Sequence, residues 1–338
     1  MKIVVPMPAG PEEEYAALSE AGWDVVFGST PVEGAPVQRL TQAELVELCK
    51  DADCIMTNAV SGEVMEKLPN LSSIIVGSIG SEKIEINTAT ELGILVCNSP
   101  SPENFLGVSE ATILAMLALN KRLKRKEARL RSGEWGTRED RGSLMMKKTV
   151  GIIGLGRVGT AVAKRLAGWD VTLVAYDPYV SQDHADTVGV KMVDYETLLK
   201  ESDFITLHVV LTPETRGMIG ERELRMMKPS AVVINTARGP AIQEAAIHKA
   251  LKEDWIAGAA LDSFEQEPLP LDSPLRDLDP EKIILTPHMI SGSEESRVGN
   301  LRVAIENANT ILKGEIPVNA KNPEVAPYWR LRVAGAGR

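Results

Sequence analysis

The sequence predicts an α/β protein built from two doubly wound parallel-sheet domains. Three observations predict it: short β-rich apolar runs alternate with stretches of helical spacing, the alternation occurs twice, and a proline-rich interruption separates the two occurrences. Strands that alternate with helices build parallel sheets, because each crossover helix returns the chain to the same end. At 338 residues the chain has room for two such domains, each burying its own core.

In the first alternation Lys2 to Pro6, Asp24 to Phe27, Cys54 to Thr57, Ser73 to Val76 and Ile94 to Cys97 read as strands. Helical spacing occupies Pro11 to Ala21 and Thr41 to Lys50, where Thr41 followed by Glu44 forms a capping-box pattern. Asn98-Ser99-Pro100-Ser101-Pro102 reads as a hinge, since two prolines so close suit neither a helix interior nor a central strand. One long helix is expected over Glu103 to Arg131. The second alternation has six expected strands: Val150 to Gly154, Val171 to Tyr176, Phe204 to His208, Ala231 to Asn235, Gly258 to Leu261 and Ile283 to Leu285. A helix over Arg297 to Lys313 and a proline-containing tail complete the chain.

Composition narrows the function classes. A chain 44% hydrophobic and 25% charged is that of a folded, soluble protein. Its net charge of −10 disfavours nucleic acid or an anionic membrane as the main partner. The most apolar helical run, Ala111 to Leu119, is about half of the roughly 20 residues that a bilayer span needs. Cys49, Cys54 and Cys97 form no Cys-x-x-Cys spacing, and no His or Cys cluster has metal-ligand spacing, so no metal is expected. With no signal-peptide pattern at Lys2 to Pro6, a reducing cytoplasm is the expected location.

The cofactor signal is Gly154-Leu155-Gly156-Arg157-Val158-Gly159, which follows a strand and opens a helical stretch. At such a junction glycines permit a tight turn, let the backbone approach a pyrophosphate and aim helix amides at it. Asp177 ends the next strand 18 residues after Gly159, where an acid reaches an adenosine ribose. A 2′-phosphate at roughly 4 Å from that carboxylate would cost about 1 to 4 kcal/mol. NAD is therefore expected rather than NADP. Arg157, inside the turn, is equally consistent with a pyrophosphate contact and with a solvated side chain.

Ligands of open α/β sheets bind beyond the carboxyl ends of the strands. Three polar residues follow such ends: Arg238 after Asn235-Thr236-Ala237, Glu267 after Leu261-Asp262, and His288 after Thr286-Pro287. Hydride transfer to a keto acid needs a cation for the carboxylate, a proton donor for the carbonyl oxygen, and a group that keeps the donor charged. Arg238, His288 and Glu267 supply these in turn, Glu267 orienting the imidazole and raising its pKa. The alternative for this trio is an internal salt-bridge network. His184 and His248 read as ordinary surface or helix residues, and His208 as a wall residue near the cofactor.

Asn235-Thr236-Ala237-Arg238-Gly239, Ala260-Leu261-Asp262, Glu267-Pro268 and Pro287-His288, in this order, resemble the signatures of the D-isomer-specific 2-hydroxyacid dehydrogenase family, in its phosphoglycerate-dehydrogenase-like branch. The tail Lys313 to Asn319 is also similar, so the resemblance spans nearly the whole chain. It implies a flavodoxin-like substrate domain, residues 1–100 and 290–338, split by an inserted Rossmann NAD-binding domain, residues 101–289. It implies NAD contacts from Gly154, Gly156, Arg157, Val158, Gly159, Asp177, Val209, Thr236, Ala237, Asp262 and Ser291. Ser81 joins them through the loop Gly77 to Ser81, whose Ser78, Ile79, Gly80 and Ser81 would bind substrate beside Arg238. It implies a homodimer through the helix after the hinge, and interconversion of a small D-2-hydroxy acid and its 2-keto acid.

Departures from the family pattern bear on the substrate. The loop Gly77-Ser78-Ile79-Gly80-Ser81-Glu82-Lys83 is shorter than usual, and Asn58 and Ser78 stand where phosphoglycerate enzymes commonly carry arginines. Losing both cations would forfeit roughly 1.5 to 3 kcal/mol for each charged hydrogen bond to a phosphate, so phosphoglycerate is not the expected substrate. After Arg238 the usual glycine and Val-Asp pair become Pro240, Ile242 and Gln243. In Trp135 to Arg141, a solvated charge run is weighed against Arg138 or Arg141 reading a distal substrate group. An alternative from another class is an NAD(H)-sensing, corepressor-like regulator with little catalysis; the short tail Ala334 to Arg338 favours an enzyme. Formate oxidation would need further active-site motifs.

Overall fold

The computed structural model describes residues 1–28 and 40–336. Residues 29–39 and 337–338, the latter ending the tail Ala334 to Arg338 considered above, lie outside the described residues. Two compact units form: Met1–Asn104 with Ser293–Arg338, and Phe105–Gly292.

In the first unit β1 (Lys2–Val5), β2 (Asp24–Phe27), β3 (Cys54–Met56), β4 (Ser73–Ile75) and β5 (Leu95–Cys97) form a parallel sheet in the order β2-β1-β3-β4-β5. This is the flavodoxin-like order. Strands covered on both faces read as continuous apolar runs, as these do. One face packs on Leu301, Ala304, Ala308, Ile311 and Trp329 from the end of the chain. The other packs on Val64, Met65, Leu68 and Ala89. Thr41 caps the helix Gln42–Cys49 through the expected box with Glu44. The free thiols of Cys49, Cys54 and Cys97 are buried, and burial pushes those of Cys49 and Cys97 up to about 12, so they stay protonated and inert.

The second unit holds β6 (Thr149–Ile153), β7 (Thr172–Tyr176), β8 (Lys191–Met192), β9 (Phe204–Leu207), β10 (Val232–Asn235), β11 (Gly258–Leu261) and β12 (Ile283–Leu285). Their order is β12-β11-β10-β9-β6-β7-β8, the dinucleotide-binding arrangement extended by one strand.

Three expectations are corrected. The second sheet has seven strands rather than six, because two-residue β8 pairs Lys191 with Val174 and is too short for any hydrophobic pattern. The expected single helix Glu103 to Arg131 is two, Pro102–Asn120 and Leu123–Arg131, broken where Arg122 takes a left-handed φ of 52°. The side chains of Asn120 and Lys121 donate to the Ser143 carbonyl and that of Arg122 to the Glu139 carbonyl, which ties the break to the loop that follows. The proline-containing tail ends in a helix, Ala326–Ala336. Short helices at Gly62–Glu66 and Ile86–Glu91 went unforeseen, being too brief to show a period. Among the described residues no helix is long and apolar enough to cross a membrane.

Candidate active site

Register builds the site. Tyr176, Ile153, Leu207, Asn235, Leu261 and Leu285 are successive partners across the second sheet, one on each of six adjacent strands. The next residue on each strand is Asp177, Gly154, His208, Thr236, Asp262 and Thr286 respectively. A parallel sheet therefore delivers the whole set to one edge, beyond the carboxyl ends of its strands.

The glycine turn leaves β6 at Gly154, whose φ of 93° suits glycine. A side chain at Gly159 would stand 2.2 Å from the Gly154 carbonyl oxygen, so the turn closes only with glycine there. The helix Arg157–Leu166 then starts at Gly156 with no side-chain cap, so its first amides face outward as a diphosphate requires. Asp177 Oδ2 accepts from the Leu155 amide at 2.9 Å and Oδ1 from the Tyr179 amide at 2.9 Å, which anchors the acid beside the turn. Arg157 is exposed, and Val158 and Val209 are partly so. Thr236 Oγ1 lies 3.0 Å from Thr112 Oγ1, and Ala237 is buried behind it. This donor set fits a dinucleotide.

Arg238, Glu267 and His288 leave the adjacent strands β10, β11 and β12. Glu267 Oε1 stands 2.7 Å from His288 Nδ1 and also accepts from the Phe264 amide at 3.3 Å. His288 is half exposed and Glu267 mostly buried, so the imidazole meets solvent while its partner is held. Arg238 Nη1 donates to the Ala237 carbonyl at 2.8 Å. A side chain at Gly239 would meet the Phe264 carbonyl carbon at 2.0 Å, so the Arg238 and Glu267 loops abut backbone to backbone.

His288 itself has a left-handed φ of 56°. Asp262 lies behind it, 4% exposed, and its Oδ1 accepts from Thr286 Oγ1 at 2.7 Å and from the amides of Met289 and Ile290 at 2.9 and 3.1 Å. Motif reasoning missed Thr286 as a site residue; its place two residues before His288 was the available signal. Ser291 is partly exposed just after this turn. His208 Nε2 is 3.0 Å from Thr206 Oγ1, and burial pushes its pKa down to about 3, so it is a neutral wall residue.

In the first unit Ser78, Ile79 and Gly80 are partly exposed and Ser81 is buried, with Ser78 Oγ donating to the Gly80 carbonyl at 3.1 Å. The charge run before the cofactor strand is not wholly solvated: Asp140 is 4% exposed and bonded by Arg125 and Arg129. The Thr137 amide and then these guanidinium groups lower its pKa to about 2 against the opposing effect of burial. Arg138 and Arg141 stay exposed.

A glycine turn on such a sheet, with an Arg and a Glu–His pair at the same edge, defines a nicotinamide-dependent oxidoreductase. The profile of the family described as "D-isomer specific 2-hydroxyacid dehydrogenase, NAD binding domain" matches residues 113–289. The D-3-phosphoglycerate dehydrogenase of Methanocaldococcus jannaschii is 40% identical over 296 residues, 86% of this chain but 56% of that protein, so the chain spans little more than half of its length. The glyoxylate reductase of Thermofilum pendens is 40% identical over 293 residues, 84% of this chain and 86% of that one. The apo-structure of D-lactate dehydrogenase from Escherichia coli superposes with a TM-score of 0.78 at 29% identity, covering 95% of this chain and 100% of that chain. The chain belongs to the D-isomer specific 2-hydroxyacid dehydrogenase family, and NAD is its cofactor.

Proposed function

We propose that the protein interconverts a small D-2-hydroxy acid and its 2-keto acid, with His288 as acid–base, Glu267 as its orienting carboxylate and Arg238 as the carboxylate anchor. The observation that carries this reading is the 2.7 Å approach of Glu267 Oε1 to His288 Nδ1. With Nδ1 engaged, Nε2 is the ring nitrogen left to face substrate. In the reducing direction Nε2 gives its proton to the carbonyl oxygen; in the oxidising direction it takes the hydroxyl proton back. The Glu267 carboxylate stabilises the imidazolium before it gives up the proton. Arg238 pairs with the substrate carboxylate through two parallel hydrogen bonds and fixes which carbonyl face is presented.

NAD, when bound, supplies the hydride acceptor or donor for C2. It would be held by Gly154, Gly156, Arg157, Val158 and Gly159 at the diphosphate and by Asp177 at the ribose. Val209, Thr236, Ala237, Asp262 and Ser291 complete the set. We assign Ser78, Ile79, Gly80 and Ser81 to substrate binding and residues 1–100 with 290–338 to the substrate domain. Asn58 and Ser78 carry no cation for a phosphate, and glyoxylate reductases are among the relatives, so glyoxylate and hydroxypyruvate lead the substrate list. We further propose a homodimer through the helix after the hinge and, from three free buried cysteines, a cytoplasmic location.

NADH oxidation against glyoxylate, hydroxypyruvate, pyruvate, branched and aromatic keto acids and phosphohydroxypyruvate tests the reading. Turnover of an unphosphorylated acid is expected, and no turnover with any member would sink it. His288→Ala is expected to lower kcat by about 10² to 10⁴ while NADH binding persists; equal loss of both would contradict the assignment.

A further inference from the structure

We propose that Asp262 is the positioning residue of the His288 turn and that Thr286 is the side chain through which it grips. The reading above gives Asp262 to the cofactor alone; this inference rests on that reading for the role of His288 and goes beyond it for Asp262 and Thr286.

A left-handed φ of 56° is uncommon outside glycine, less so for histidine than for most residues, and is held where its surroundings over-determine it. Asp262 Oδ1 supplies that over-determination. It accepts one bond from Thr286, two residues before His288, and one each from the amides of Met289 and Ile290, immediately after it. A single oxygen thus brackets the histidine from both sides. The carboxylate is itself fixed, being 4% exposed at the end of β11 with its own amide donating to the Asn235 carbonyl at 3.0 Å. Three donors on one ionised oxygen are charge-assisted, so the grip weakens if the acceptor is neutral. Freed from it, the turn relaxes toward ordinary backbone and carries the imidazole away from Glu267.

The discriminating variant is Thr286→Val, which keeps the shape and removes one donor without touching any atom assigned to the cofactor. Three quantities are read on the full chain: kcat with the best keto acid, the NADH Kd by fluorescence titration, and the downfield NMR signal of the His288 ring proton facing Glu267. Expected is a fall in kcat of at least about tenfold, the equivalent of one hydrogen bond to a charged group. The NADH Kd should stay within twofold and the ring-proton signal should broaden or vanish, with Thr286→Ser restoring both signal and rate. Asp262→Asn should lose the signal as well, with weaker NADH binding in addition. A Thr286→Val protein that keeps the signal and a rate within twofold of the parent overturns the proposal. If the parent turns over no keto acid, the reaction assignment fails while the ring-proton signal still decides the positioning role. Should Thr286→Val not fold, Thr286→Ala is read in the same way.

Discussion

At the residue scale the site rests on close backbone approaches as much as on ionic groups. Gly239 is the tightest of these: a Cβ placed on it would stand 2.0 to 2.4 Å from the Phe264 backbone, which cannot rotate aside as a side chain can. Gly239→Ala therefore separates the loops that carry Arg238 and Glu267. A cost of about 1 to 3 kcal/mol is expected from overpacking, together with a kcat loss larger than the stability loss explains. Thermal unfolding and kinetics on one preparation check this, and an unchanged melting temperature would count against it. Motif spacing made the glycine turn and the candidate trio Arg238, Glu267 and His288 readable, because each occupies a fixed offset from a strand end. The grip of Asp262 on Thr286 was not readable: it depends on a backbone dihedral at His288, and dihedrals of single non-glycine residues leave no compositional trace.

At the element scale the loop carrying Glu267 is latched to the helix Glu244–Lys252. Glu244 Oε1 accepts from the Glu265 amide at 2.6 Å, and Glu265 Oε1 accepts from the Glu244 amide at 3.0 Å. Burial, with the neighbouring Glu265 charge adding to it, raises the Glu244 pKa above the usual carboxylate value. A folded-state pKa above the unfolded one means that the folded protein holds the proton more tightly. The resulting stability is full below the unfolded pKa and is lost as pH rises through the folded one. At neutral pH the charged Glu244 is thus a net cost, and Glu244→Gln, which keeps an accepting oxygen, removes it. Its melting temperature is expected to rise at pH 7 by about 1 to 3 °C, with the gain shrinking by pH 4; a larger gain at pH 4 would refute the account. Strands of three residues or more were legible from their apolar runs. β8 and the break at Arg122 were not, since one is a two-residue edge and the other is set by carbonyls of Glu139 and Ser143 lying well along the chain.

At the scale of the whole molecule the first unit is assembled from both ends of the chain. Trp329 is fully buried against its sheet and donates from Nε1 to Ser73 Oγ at 3.0 Å. Arg332 follows one helical turn later and donates to the carbonyls of Leu71, Leu92 and Pro69 at 2.6 to 2.9 Å. Trp329→Ala is expected to cost about 3 to 5 kcal/mol, seen as a lowered denaturant midpoint; a midpoint equal to the parent's would show that this helix adds nothing. Its seating was hidden in the sequence because Pro317, Pro323 and Pro327 mark the segment as a tail, whereas Trp329 and Val325 find their partners only in space.

That seating has a consequence for how the chain matures on the ribosome. The unit Phe105–Gly292 is contiguous and has all its strands once residue 292 has emerged. The first unit, begun earlier, still lacks Leu301, Ala304, Ala308, Ile311 and Trp329 at that moment, and that face of its sheet is covered only in part, by Tyr15, Leu18 and Trp23. Domains fold as units during synthesis, so the half of the protein made in the middle closes before the half that was started first. The nascent chain carries apolar sheet surface open to chaperones until Leu301 to Trp329 appear.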